Sequence, residues 1–152
     1  MQGSGMVRLG LAVFLSLTSV AGCASPPKSY SIQNSATVLE PYNVVWTRII
    51  QWFTTNQVQI RTIDKSSGVI YAERASGAGS DFVDCGTPGI TVPVARPISM
   101  NVFVQEIDPR KTSVTVNVTA TETRTLDTSS FQVQCNSTGR LERQVLAAAT
   151  RK

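Results

Sequence analysis

The chain has 152 residues, enough for one small folded domain, and its formal net charge at pH 7 is +4. It contains no histidine, which excludes Ser-His and Cys-His nucleophilic systems and most metal sites. The positive charges are spread along the chain without the dense run that is typical of a nucleic-acid-binding arm. We therefore expect no metal, no cofactor and no nucleic acid as a partner.

Residues 1–22 have the pattern of a secretory signal peptide. A basic start precedes an apolar run of about a dozen residues that begins near Leu9, which is short for a membrane span. The run ends in the motif Val-Ala-Gly-Cys at residues 20–23. This motif resembles the lipobox of bacterial lipoproteins, which implies cleavage before Cys23 and acylation of its thiol and new amino group. The alternative is an ordinary signal peptide with Cys23 in a disulfide.

By the same resemblance, Ala24 after the cysteine favours the outer membrane of a Gram-negative cell, with the protein held to the bilayer through acylated Cys23 and its domain in the periplasm. Residues 23–36 are polar and contain two adjacent prolines, which predicts a lipidated cysteine followed by a flexible tether. One folded domain is then expected over residues 37–152.

The domain is expected to begin with an amphipathic helix and a hairpin. Apolar residues at spacings of three and four predict a helix from about Pro41 to Thr55. Trp46 lies on the apolar stripe of this helix and is assigned to the core. Trp52 lies off the stripe, so it either forms an exposed anchor for a partner or glycan or covers a sheet edge. Two strands over residues 58–74, with turn residues at 64–68, complete the hairpin.

A long irregular stretch follows at residues 76–97, with four glycines and three prolines. Loops of this length in small domains are often functional. The candidate partner-binding residues are therefore Asp81, Phe82, Asp84 and Ile90 of this loop, together with Trp52.

Cys85 and Cys135 are the two cysteines that remain if Cys23 carries lipid. Export to an oxidising compartment predicts a disulfide between them. Closing a loop of about 50 residues would stabilise the fold by about 4 kcal/mol. Two free thiols are the alternative, since two cysteines without histidine supply too few ligands for zinc.

The rest of the chain predicts two further strands, a possible extension and a last helix. Residues 100–105 and 114–121 alternate between apolar and polar, with turn residues at 108–111 between them. Residues 131–134 can extend a strand towards Cys135, and a helix is expected from Ser137 or Thr138. The order α-β-β-β-β-α predicts an α+β two-layer sandwich, with both helices on one face of a four-stranded antiparallel sheet.

The segment from Tyr42 to Ala72 has the layout Tyr-x3-Trp-x3-Ile-x2-Phe-x6-Ile-x7-Gly-x-Ile. It resembles the helix-on-sheet domains of BamC, a lipoprotein of the β-barrel assembly machinery. The resemblance covers about thirty residues and implies a helix packed on an antiparallel sheet. Its motifs are structural, so it implies no functional residue.

These patterns favour an outer-membrane lipoprotein that is not an enzyme and serves as an interaction or accessory module of an envelope assembly or secretion machine. The second hypothesis is a lipoprotein that binds a small ligand or glycan in a groove between helices and sheet. The third is a hydrolase that acts through Asp81, Asp84 or Glu73, which requires two carboxylates facing each other across a cleft.

Overall fold

The computed structural model describes residues 24–74 and 80–151. The signal peptide and Cys23, the expected lipidation site, lie outside the described residues, as do residues 75–79 of the long loop. The described elements are β1 (Ala24–Ser25), β2 (Ser35–Val38), α1 (Tyr42–Thr55), β3 (Gln59–Asp64), β4 (Val69–Arg74), a 3₁₀ turn (Ser80–Phe82), β5 (Val83–Asp84), β6 (Thr87–Pro88), β7 (Val92–Ala95), β8 (Ile98–Asp108), β9 (Lys111–Leu126), β10 (Ser129–Ser137) and α2 (Arg140–Thr150).

The elements with strong local signals are confirmed. Helix α1 starts directly after Pro41, whose missing N–H costs nothing at a helix start, and it buries Trp46 in the core. The hairpin of β3 and β4 forms with a bulge near Ile60. Its turn needs Gly68, which has a φ of +74° and would place a Cβ 2.0 Å from the carbonyl oxygen of Val104.

The predicted fold class is wrong. Over the described residues the protein is mostly β: an eight-stranded antiparallel sheet curls into a half-barrel, and two α-helices accompany it. The main path of this sheet runs β3-β4-β8-β9-β10-β5, and β2 and β7 both pair with β9. The prediction stopped at four strands because the additional strands are short or polar. Strands β2, β5 and β7 pair with strands far away in sequence, so no local alternation identifies them. Strand β10 forms a hairpin with β9, and the sequence predicts only its residues 131–134, as a possible extension.

Strand β9 is the centre of the sheet. On one side it pairs with β8 over residues 111–120 and then with β7 over residues 123–125. On the other side it pairs with β2 over residues 112–115 and with β10 over residues 120–126. Neither β2 nor β10 pairs with residues 116–119, which we call the edge gap.

The core lies between the sheet and the two helices, which contact each other and β9. Alternate residues of β8 and β9 point inwards, as the period of two requires. The largest fully buried apolar side chains are Phe53, Ile49, Ile70, Ile98, Met100 and Leu141.

The predicted disulfide between Cys85 and Cys135 is confirmed, with both residues buried at the edge of the core. It joins the loop before β6 to the end of the β10 pairing with β9. Among the described residues, neither helix is long and apolar enough to cross a bilayer.

Candidate functional site

The segment expected to be a tether contacts the domain from its first described residue. Residues 24–34, which we call the strap, run along residues 83–91, which we call the disulfide loop. Strands β1 and β6 form a two-stranded sheet in which Ala24 is opposite Pro88. The backbone N–H of Ser25 donates to Thr87 Oγ1 at 2.7 Å. The strap is thus bonded to the disulfide loop immediately after residue 23.

Two glycines let the strap cross the disulfide loop at close range. Gly86 has a φ of +70°, and a Cβ there would lie 2.0 Å from the carbonyl oxygen of Ser25. A Cβ on Gly89 would lie 3.2 Å from the Cβ of Ala24. A side chain at Gly86 would therefore clash with the backbone of the strap.

Two further hydrogen bonds hold the middle of the strap. Tyr30 donates its hydroxyl to Asp84 Oδ2 at 2.8 Å, and Asn136 Nδ2 donates to the carbonyl oxygen of Lys28 at 3.0 Å. The backbone N–H of Gly86 and the Tyr30 hydroxyl lower the pKa of Asp84, whereas the hydrogen bond to Asp84 raises the pKa of Tyr30. At neutral pH this bond therefore joins an ionised carboxylate to a neutral phenol.

A buried charge cluster lies beneath the disulfide loop. Glu122 is only 1% exposed and accepts hydrogen bonds from Arg96 and from Arg124, the latter at 2.6 Å. Burial alone would raise the pKa of Glu122. The hydrogen bonds from the two guanidinium groups, with their positive charges, outweigh burial and lower it. Glu122 is therefore ionised and compensates two positive charges.

Arg124 also fixes the backbone of the disulfide loop. Its guanidinium donates to the carbonyl oxygens of Cys85 at 2.5 Å and Thr87 at 3.3 Å. Sequence analysis missed this cluster, although a signal was present. The inward alternation of β9 continues beyond Ala120 and places Glu122 and Arg124 on the buried face.

The candidate partner-binding residues of the loop do not form one exposed patch. Asp81 is exposed and pairs with Arg140 at 2.9 Å. Phe82 is partly buried, with the guanidinium of Arg140 at 5.5 Å from its ring centroid and that of Arg74 at 4.8 Å. Asp84 holds the strap, as described above. Only Ile90, which is 74% exposed, presents a large apolar side chain to solvent.

Trp52 lies apart from these loop residues, on helix α1. It is 7% exposed and packs edge-on against Phe53 at 5.3 Å between ring centroids. Its rim lines a groove of about 510 Å³ between the two helices, together with Arg48 and Arg151. The off-stripe position of Trp52 therefore places it between the helices.

The carboxylates of the hydrolase hypothesis have separate partners. Asp81 and Asp84 both line a cavity of about 350 Å³ that also includes Arg96. Glu73 is not among the residues lining it; it accepts hydrogen bonds from Arg61 and Tyr71, each at 2.8 Å. Asp81 and Asp84 thus share this cavity, whereas Glu73 is bonded to side chains elsewhere on the sheet.

A larger groove of about 600 Å³ opens at the edge gap. Its walls are the strap from Ser29 to Asn34, the edge gap itself and the end of β10 from Gln134 to Ser137. The carboxylate of Glu142 also lines it and accepts a hydrogen bond from the Ser137 hydroxyl at 2.9 Å. The groove therefore has both polar and apolar lining residues, and one of its walls is the stretch of β9 that pairs with neither β2 nor β10.

Among the open strand edges of the described sheet, those of β3 and β7 are protected against further pairing. Strand β3 carries a bulge and the Arg61–Glu73 ion pair, and β7 carries Pro93 and a bulge. Strand β10 pairs with β5 at residues 136–137, and Cys135 is bonded to Cys85 next to this pair, so among the described residues its outer edge is open over residues 129–134. These residues include no charge and no proline.

Comparison with protein-family models gives no match for this chain, and comparison with curated proteins gives none either. Within residues 24–74 and 80–151, no group of three or more histidine, cysteine or acidic side chains is arranged to hold a metal ion. The features of the described structure that bear on function are therefore the strap, the disulfide loop, the groove and the open edge of β10.

Proposed function

We propose that this protein is a lipid-anchored envelope protein of the periplasmic side of the outer membrane. Its domain binds a protein partner as a non-catalytic module of an assembly or secretion machine. The Val-Ala-Gly-Cys motif at residues 20–23 supports the anchor. The unprotected outer edge of β10 supports the interaction, because an open strand edge pairs readily with an extended segment of another protein.

The backbone direction along β10 identifies where a partner strand would bond. The N–H of Val116 donates to the carbonyl oxygen of Asn34 at 2.8 Å, on the side of β9 that β10 occupies. The N–H and C=O groups of successive strand residues point to alternate sides, so those of Glu122 point to the same side of β9 as those of Val116. Glu122 is opposite Val133, so the N–H and C=O of Val133 point back towards β9. Gln132 therefore points its own N–H and C=O to the open edge.

The test replaces this outward donor without breaking the pairing of β10 with β9. In Gln132→Pro the outward N–H is lost, and proline is tolerated where the N–H of an edge strand faces solvent. A photo-crosslinking residue at Ser130 of the full-length protein in cells should capture a defined envelope protein. The Gln132→Pro variant should lose this product, whereas the matched Gln132→Ala variant should keep it. Equal crosslinking in both variants would contradict strand addition at this edge.

The anchor has its own test. Mass spectrometry of the mature protein from membranes should show an N-terminal Cys23 that carries acyl chains, and Cys23→Ala should leave the protein unprocessed. Two or more acyl chains give stable anchoring, whereas a single chain gives only reversible binding. A mature form that begins elsewhere, without lipid, would refute the anchor.

The groove at the edge gap favours a second function, the binding of a small polar ligand or glycan. Its volume of about 600 Å³ lies within the range of ligand sites, and it presents amide, hydroxyl and carboxylate groups. Native mass spectrometry of the protein purified from cells should then detect a bound molecule. Asn117→Leu, which removes a polar side chain lining the groove, should abolish that adduct, while Thr125→Leu on the same strand outside the groove should not.

A further inference from the structure

An exposed apolar segment lies beside the start of the strap. Ile90, Val92 and Val94 are 74%, 61% and 62% exposed and lie within five consecutive residues. We call residues 90–94 the apolar ridge. Ile90 follows Gly89 in the disulfide loop, and Val92 and Val94 belong to β7. Three such side chains together at the surface are typical of a binding face.

The apolar ridge lies close to Ala24, the first described residue of the strap. Ala24 is opposite Pro88 in the two-stranded sheet, and Gly89 packs against Ala24. Paired Cα atoms lie about 5 Å apart, and consecutive ones about 3.8 Å. The Cα of Ala24, the residue that follows the expected lipidation site, is therefore within roughly 13 Å of the Cα of Ile90.

The strap is bonded to the domain along its length, so it does not act as a flexible spacer between the domain and residue 23. Hydrogen bonds between Ser25 and Thr87, and between Tyr30 and Asp84, join it to the disulfide loop on both sides of the two prolines. Whatever holds Cys23 at a surface therefore holds the disulfide loop at that surface as well.

We propose that the apolar ridge is a membrane-contact surface that inserts into the interfacial region of the lipid bilayer beside acylated Cys23. This inference rests on the proposed lipid anchor, and it adds that the domain lies directly on the bilayer in one orientation. Branched apolar side chains gain from leaving water, and an adjacent covalent anchor removes most of the cost of bringing them to the interface. The β10 edge lies on the opposite side of β9 from β7, so it stays available to a protein partner.

The test measures depth in the bilayer at two positions of the acylated full-length protein. Ile90→Cys is labelled with an environment-sensitive fluorophore, with the native disulfide kept oxidised. The matched control is Arg110→Cys, in the turn at the far end of β9, about 50 Å along that strand. Both proteins are reconstituted into vesicles of phosphatidylethanolamine and phosphatidylglycerol with brominated acyl chains.

The label at residue 90 should shift to the blue and lose most of its fluorescence to the brominated lipid, while the label at residue 110 should keep its aqueous emission. Equal emission at the two positions in vesicles that carry the acylated protein would overturn the membrane contact and leave the anchor intact. A label at residue 90 that is shielded from aqueous iodide but not quenched by brominated lipid would also overturn the membrane contact. That result would indicate that a protein covers the apolar ridge. Absence of acylation in the mass spectrum would overturn both proposals together.

Discussion

Glu122→Gln should destabilise the fold strongly although it changes one atom of the side chain. The substitution removes the negative charge that Arg96 and Arg124 share but keeps the size of the side chain, so it creates no cavity. The side chain of Arg124 is only 6% exposed and cannot reach water, whereas that of Arg96 is 25% exposed and can turn outwards. One positive charge is thus left buried.

Leaving one member of a buried ion pair without its partner costs about 3–5 kcal/mol. Because Arg96 can reach solvent, we expect the lower end, about 3 kcal/mol, or a fall of about 10 °C in the melting temperature. The matched control is Glu73→Gln. This residue pairs with Arg61 at 2.8 Å on the exposed face of the sheet, where an ion pair contributes about 1 kcal/mol or less.

Urea unfolding followed by tryptophan fluorescence measures both variants. The difference in free energy of unfolding between wild type and Glu122→Gln should become smaller as the pH falls. The folded pKa of Glu122 is lowered below its unfolded value of about 4.3, so its stabilisation is present above that pH. This stabilisation is lost as the pH falls through the folded pKa of Glu122, so in acid the two proteins should approach the same free energy of unfolding. Equal losses in Glu122→Gln and Glu73→Gln at pH 7 would refute the argument for a buried, fully ionised cluster.

Three further outcomes are expected. Replacing Cys85 and Cys135 together by serine should lower the free energy of unfolding by about 4 kcal/mol in urea titrations, because the bond closes a loop with a sequence separation of 50. Gly68→Ala should cost about 2 kcal/mol or more in thermal melts, because of the positive φ and the clash with the carbonyl of Val104. The carboxyl of Asp64 should titrate by NMR at about pH 2, since the hydroxyls and backbone N–H groups of the serines in its turn lower its pKa. Its stabilising contribution should therefore be present above pH 4 and lost as the pH falls towards 2.

The parts of the fold that the sequence predicts are those set by neighbours in the chain. The stripe of α1, the hairpin turn at Gly68 and the alternation in β9 depend on residues within one or two turns of each other. The pairing of β2 with β9 does not, because it joins residue 35 to residue 115. The polar composition of β2 indicated a tether, and nothing in its own sequence indicates the strand that it pairs with.

Part of the candidate site could likewise be predicted from the sequence, and part could not. The disulfide could be predicted from the number of cysteines and the expectation of export, and the structure forms it. Ile90, a candidate binding residue of the loop, is exposed. The charge cluster could have been found by continuing the alternation of β9 to Glu122 and Arg124. The strap contacts could not, because Ala24 and Ser25, which pair with the disulfide loop, belong to a polar segment with two prolines whose composition suggests flexibility.

The position of β9 also has a consequence for the order in which the protein can fold. Four other strands pair with it, among them β2 near one end of the described chain and β10 near the other. Since β9 ends at Leu126, β2 has no partner until most of the chain is available. Contacts at such long sequence separation slow folding towards the millisecond-to-second range. We therefore expect the sheet to be completed late in folding, after β9 has become available as the common partner of these strands.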